Sequence, residues 1–244
     1  GINGVIDLYP ISRVLSHYSA YKAPPAGSPG KLTSGCGYTF YRDNLFDDII
    51  EPSVYYSCPV HNCIHREVIS WNGVLMNTER ASDEARSEFL RSSDSWFRPA
   101  SIRTGPDGGM YVADLYRLVI EHPEWIDDTL EKEMIADGRL RAGHDKGRIY
   151  KIFPESVKLH KKANLAGKGP QELAKLMDSP NGWQRDTAHM MLTWLDAEEQ
   201  KKAVPNLHQV LNSQFPAARA QALSALNDLD SLLPKAMQIG LEDK

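Results

Sequence analysis

The chain has 244 residues, with 32 acidic against 28 basic side chains and a formal net charge of −4. That balance argues against a general binder of nucleic acid or of an anionic membrane surface, since both call for a basic excess. No apolar run reaches the ~18 residues of a membrane-spanning helix, while the length allows a sizeable core and two domains. No leader pattern is visible in these residues, as in a mature or cut form.

Taken in order, Val5–Tyr9 predicts a short strand with no partner before it, and the Pro-, Gly- and Ser-rich stretch Ala23–Ser34 predicts a mobile loop. Gly37–Arg42, Val54–Cys58 and Ile64–Ile69 then read as three successive strands. Between the last two lies Cys58-Pro-Val-His-Asn-Cys63, followed by His65, with Cys36 upstream. Two sulfurs and two imidazoles so close together make Cys58, Cys63 and His65 candidates for a metal site. Structural zinc more often uses Cys-x2-Cys pairs, so a disulfide or plain buried thiols stand beside that reading. No Cys-x-x-Cys-His occurs, which leaves no covalent site for a c-type haem in these residues. The polar stretch Glu79–Ser95 reads as a solvated connection pinned by Phe89 and Leu90.

Trp96–Arg117 predicts a β-hairpin: Phe97–Thr104 is β-prone, Gly105-Pro-Asp-Gly-Gly109 is a turn, and Met110–Leu115 is a short apolar strand. A third strand, Gly147–Phe153, follows only after a long loop carrying Tyr116, Arg117, Glu121, His122, Trp125, a helical turn around Asp127–Ala136, Arg139, Arg141 and His144. Connections of that length in compact domains are usually functional or disordered. Laying Val54–Cys58 over Met110–Asp114 and His65–Ile69 over Arg148–Ile152 repeats the plan, with Cys58 at the place of Asp114 and Pro59–Asn62 as the short form of the long loop. Strand order and turn chemistry are those of β-propeller blades, whose loops emerge on one face. Two blades and a leftover strand do not close a ring, so the expectation is the C-terminal part of a propeller within a longer protein.

After Pro154 the apolar period changes from two to about 3.6. Leu173–Ser179 aligns with Leu207–Ser213, and the register holds through Arg185 with Arg219, Ala188 with Ala222, and Leu192 with Leu226, a repeat of 34 residues. Pro180 and Pro216 sit where one helix stops and the next begins, and a third unit opens at Leu233. Such pairs resemble HEAT repeats. The predicted organisation is therefore mixed, all-β then all-α: a partial β-propeller over 1–155 followed by a HEAT-like α-solenoid over 156–244. His189 and His208 read as packing or surface residues.

The segments Pro59–Arg66, Trp96–Pro99, Gly105–Gly108, Tyr111–Arg117, Glu121–Trp125 and Gly143–Tyr150 together resemble a bacterial family of exported proteins described as membrane-bound dehydrogenases or haem-binding proteins. These carry a propeller, then HEAT repeats, then often a cytochrome c domain. The resemblance implies a periplasmic or secreted protein and a propeller similar to those of quinoprotein glucose and sorbosone dehydrogenases, which use pyrroloquinoline quinone and calcium. It implies a sugar-like substrate, a general base among His61, His122 and His144, and anion contacts from Arg66, Arg98, Arg117 and Arg148, with Asp114 and Tyr116 completing the ligand-binding candidates. A cytochrome c domain would take the electrons. The reading from another class is a scaffold without catalysis that binds glycans, or a protein partner on the repeats.

Overall fold

The computed structural model describes residues 6–12, 30–47, 49–120, 122 and 128–242. It forms antiparallel β sheets in the N-terminal half and helices in the C-terminal half, and it divides into two compact units. One gathers residues 1–41, 47–103 and 110–152; the other gathers 42–46, 104–109 and 153–244.

In the first unit β1 (Asp7–Leu8) pairs antiparallel with β2 (Gly30–Lys31). The partner of the first strand thus comes after it, inside the stretch read as a loop; Val5 and 23–29 lie outside the described residues. The next sheet is a meander of β3 (Cys36–Phe40), β4 (Ser53–Cys58), β5 (Cys63–Asn72) and β6 (Leu75–Arg80), with β7 (Leu90–Arg91) pairing the start of β5. Gly73 closes the β5–β6 hairpin with φ +60°, and Asn72 faces Leu75, leaving a loop of Gly73 and Val74. Glycine at the first of two loop residues is the signature of a type II′ hairpin, and it marks a strand that the sequence reading passed over. The second meander is β8 (Pro99–Thr104), β9 (Met110–Asp114) and β10 (Arg148–Ile152). Met110, Val112 and Asp114 alternate inward along β9, as the period of two requires.

The registers correct the overlay drawn from sequence. Cys58 pairs Cys63 as Asp114 pairs Arg148, so Cys63–Glu67, and not His65–Ile69, lies over Arg148–Ile152. Gly37, at a bulge in β3 with φ +53°, packs so closely on β8 that an added Cβ would stand 2.3 Å from the Ala100 carbonyl oxygen. Only glycine fits that approach. The reading of Glu79–Ser95 as a solvated connection is also overturned. It holds the last two residues of β6 and all of β7, and Ala81, Glu84 and Glu88 within it are buried.

Helix α1 (Asp128–Ala136) lies in the long loop of the first unit. In the second unit α2 (Pro170–Leu176), α3 (Gly182–Thr193), α4 (Ala197–Val210), α5 (Pro216–Asp228) and α6 (Pro234–Glu242) share one apolar core. Leu173, Leu192, Leu207 and Leu226 are fully buried there, each stabilising the fold by about 1.5 to 3 kcal/mol. The 34-residue period extends to the hydrogen bonds. Arg185 donates to the Ser179 carbonyl at 2.7 Å, and Arg219 donates to that of Ser213 at 2.8 Å. Ser179 and Ser213 Oγ each accept the backbone N–H two residues on, from Asn181 and Phe215.

Candidate functional site

The ends of β4 and β9 and the starts of β5, β8 and β10 bring together most of the residues singled out by sequence. The turn Pro59–Asn62 reverses the chain between Cys58 and Cys63, with Asn62 in the left-handed region at φ +53°. The Asn62 amide donates to the Ser95 and Phe97 carbonyls, and its Oδ1 accepts the Ser12 hydroxyl. His61 is buried, with Nδ1 3.3 Å from Cys58 Sγ. Gly30 makes room for this ring, since a Cβ there would stand 2.5 Å from His61 Nε2.

Arg98 is 0% exposed. Its guanidinium donates to the carbonyls of Pro59 at 2.9 Å, Arg117 at 3.0 Å and Leu118, which ties the short turn to the loop after β9. Asp114 caps that loop. Its Oδ1 accepts the N–H groups of Arg98 and Tyr116 at 2.7 and 2.8 Å, and its Oδ2 accepts Arg148 Nε at 2.8 Å. The Arg148 guanidinium lies 3.8 Å above the Tyr116 ring, with Trp96 5.3 Å beyond. Tyr116 itself sits at φ +51°. Arg117 reaches outward to the His144 carbonyl, and His144 and His122 are exposed. Glu121 and 123–127 lie outside the described residues.

Arg66 belongs elsewhere. It pairs with Glu84 at 2.8 Å and Asp83 at 2.5 Å, and burial pushes the Glu84 carboxyl up although Arg66 opposes it. His65 projects from the other face of β5, with Nδ1 2.7 Å from Glu88 Oε2 and Nε2 3.6 Å from Glu67 Oε1. Burial lowers the imidazole pKa, yet the two carboxylates raise it further, and the balance is upward. Arg80 completes this enclosed group against Glu88. His65 is thus held by carboxylates, apart from the two sulfurs. Among the described residues no group of three His, Cys, Asp or Glu side chains is placed to hold a metal ion.

A family model described as a domain of unknown function, DUF7133, matches residues 3–156. The chain belongs to the DUF7133 family. No curated protein and no solved structure matches it. The DUF7133 match ends close after β10, so the helices α2–α6 lie outside it. No helix among the described residues is long and apolar enough to cross a membrane.

Those helices carry a second candidate surface, which sequence reasoning missed. A groove of about 290 Å³ is lined by Asp186, His189, Met190 and Thr193 of α3 and by Gln221 and Asp228 of α5. Arg42 holds Asp186 through two hydrogen bonds of 2.5 and 2.9 Å, and Gln221 adds a third. Burial raises the Asp186 carboxyl, but these donors outweigh it and hold it below the usual range. His189 Nε2 stands 3.0 Å from Asp228 Oδ2 without the alignment of a hydrogen bond. Trp183 and Met190 on the same helix and Trp194 at its C-cap are exposed. The spacing of Asp186, Met190 and Thr193 on one face of α3 was the available signal.

Proposed function

We propose that this chain is a binding scaffold in an exported protein, with its two meanders acting as propeller blades and α2–α5 as HEAT-like repeats. The consecutive antiparallel strands and the repeated Arg-to-Ser bonds support that architecture. The observation that carries the function is the groove on α3 and α5. It sets Met190 beside Asp228, the half-exposed carboxylate that stands 3.0 Å from His189, and the exposed Trp194 caps the same helix. A carboxylate beside apolar and aromatic groups suits a protein segment that presents a basic side chain next to an apolar one.

The oxidoreductase reading finds less support among the described residues. Arg66 and Arg98 are enclosed by their own partners, and His61 is buried against Cys58.

Selection of displayed peptides on the whole chain tests the scaffold. Enriched peptides are expected to combine Lys or Arg with an apolar neighbour and to lose binding on Asp228→Lys or Trp194→Ala. Peptides indifferent to both substitutions overturn the proposal. Saturable binding of the quinone with calcium, lost on Arg117→Ala and His122→Ala, would replace it with the dehydrogenase reading.

A further inference from the structure

The turn between β4 and β5 holds a feature that the scaffold does not use. Cys58 and Cys63 are directly opposed partners across the antiparallel pair, and both side chains enter one small core with Leu8. Directly opposed residues have Cα atoms about 4.5 to 5.5 Å apart, inside the ~4.4 to 6.8 Å that a disulfide accepts. Cys36 is not so placed. It opposes Ser57, whose side chain leaves the other face of β4, and its Sγ meets the Ala100 carbonyl.

We propose that Cys58 and Cys63 form a disulfide that locks the Pro59–Asn62 turn, with Cys58 as the attacking sulfur. His61 supports this role, with Nδ1 3.3 Å from Cys58 Sγ. The hydrogen bond from Cys63 and then that from His61 hold the Cys58 thiol well below its ordinary pKa against the opposing effect of burial, while Cys63 is pushed well up. The attacking thiolate and the thiol that follows it are thus distinguished.

The oxidant is a low-molecular-weight disulfide. Cys58 attacks one of its sulfurs, forming a mixed disulfide and expelling the first reagent thiolate, which takes up the Cys58 proton. Cys63 then attacks the Cys58 sulfur and expels the second reagent thiol, which carries off the Cys63 proton. The protein loses two hydrogens and the reagent disulfide gains them. Because both sulfurs are buried, exchange passes through local opening of the turn. Closure would brace the segment whose Pro59 carbonyl receives Arg98 and whose Asn62 holds 95–97.

The test uses the whole chain, reduced and then incubated with oxidised glutathione, alkylated and digested with trypsin. No Lys or Arg lies between Arg42 and Arg66, so one peptide carries both cysteines. That peptide is expected to be two hydrogens lighter and unalkylated, with Cys36 alkylated and the thermal midpoint raised by a few degrees, reversibly with dithiothreitol. Cys63→Ala should stop at a glutathione adduct on Cys58, and His61→Gln should slow closure severalfold. Should either variant fail to fold, the wild-type peptide decides. A doubly alkylated peptide, a lasting glutathione adduct in the wild type, or a bond to Cys36 overturns the proposal.

Discussion

His65 shows how one buried side chain ties stability to pH. Its ring faces the Glu88 and Glu67 carboxylates, with Arg80 behind Glu88. Its pKa is raised on folding, so the stability it adds is present below its unfolded pKa of about 6.5 and is lost as pH rises through the folded value. Glu67 moves the other way: the His65 ring 3.6 Å away lowers its pKa against burial, and its contribution, present above about 4.3, is lost as pH falls through the lower folded value. Urea midpoints against pH should therefore fall on the alkaline side, and His65→Gln should flatten that limb. An unchanged alkaline limb would count against the assignment. Arg98 has a different consequence, because three carbonyls depend on it. Arg98→Met leaves them unpaired in a buried site and should cost more than about 3 kcal/mol in urea unfolding. The sequence marked both residues as chemically notable. It could not show that their hydrogen bonds end on internal partners, since Glu88 lies 23 positions from His65 and the Arg98 acceptors lie 19 to 39 positions away.

At the scale of elements, the helix ends carry the detail. Asn181 caps α3 by accepting the Gln184 N–H at 2.8 Å, while its amide donates to Asp43 Oδ2 at 2.5 Å and to the Gly105 carbonyl at 2.9 Å. Asn181→Ala removes the cap and a partner of a buried carboxylate, so a loss of about 2 to 3 kcal/mol is expected, read from thermal unfolding. Pro205 works in the opposite direction. It interrupts α4 from an exposed position, where it removes one helical hydrogen bond and crowds the preceding turn. Pro205→Ala should stabilise the chain, by up to about 3 kcal/mol, and a fall in the thermal midpoint would contradict this reading. The helical half was legible because the 34-residue period places each apolar residue over its counterpart. The sheets were less so, because alternation looks the same after a slip of two residues. That is the offset in the overlay of β5 on β10, and only the hydrogen-bond register decides it.

At the scale of the whole molecule, the second unit is discontinuous in sequence. Residues 42–46 and 104–109 supply Arg42 to Asp186, Asp43 to His160 and Asn181, and the Gly105 carbonyl to Asn181. A fragment of residues 153–244 should therefore keep its helical content but melt below the same helices in the whole chain, as far-ultraviolet circular dichroism would show. Equal melting would mean that these segments add nothing. The amino-acid sequence by itself determined the change from sheet to helix near residue 153, the first three strands of the first meander, the second meander and the helical repeat, because periods of two and 3.6 and the turn residues are local properties. Only the tertiary structure decided which candidates are enclosed and which face outward, that Cys58 meets Cys63 across a ladder while His65 meets two carboxylates, and that α3 and α5 shape a groove. The Glu88 contact, the enclosure of Arg98 and the groove depend on which distant segments come together, and the Cys58–Cys63 pairing, though local, depends on a ladder register that alternation does not fix.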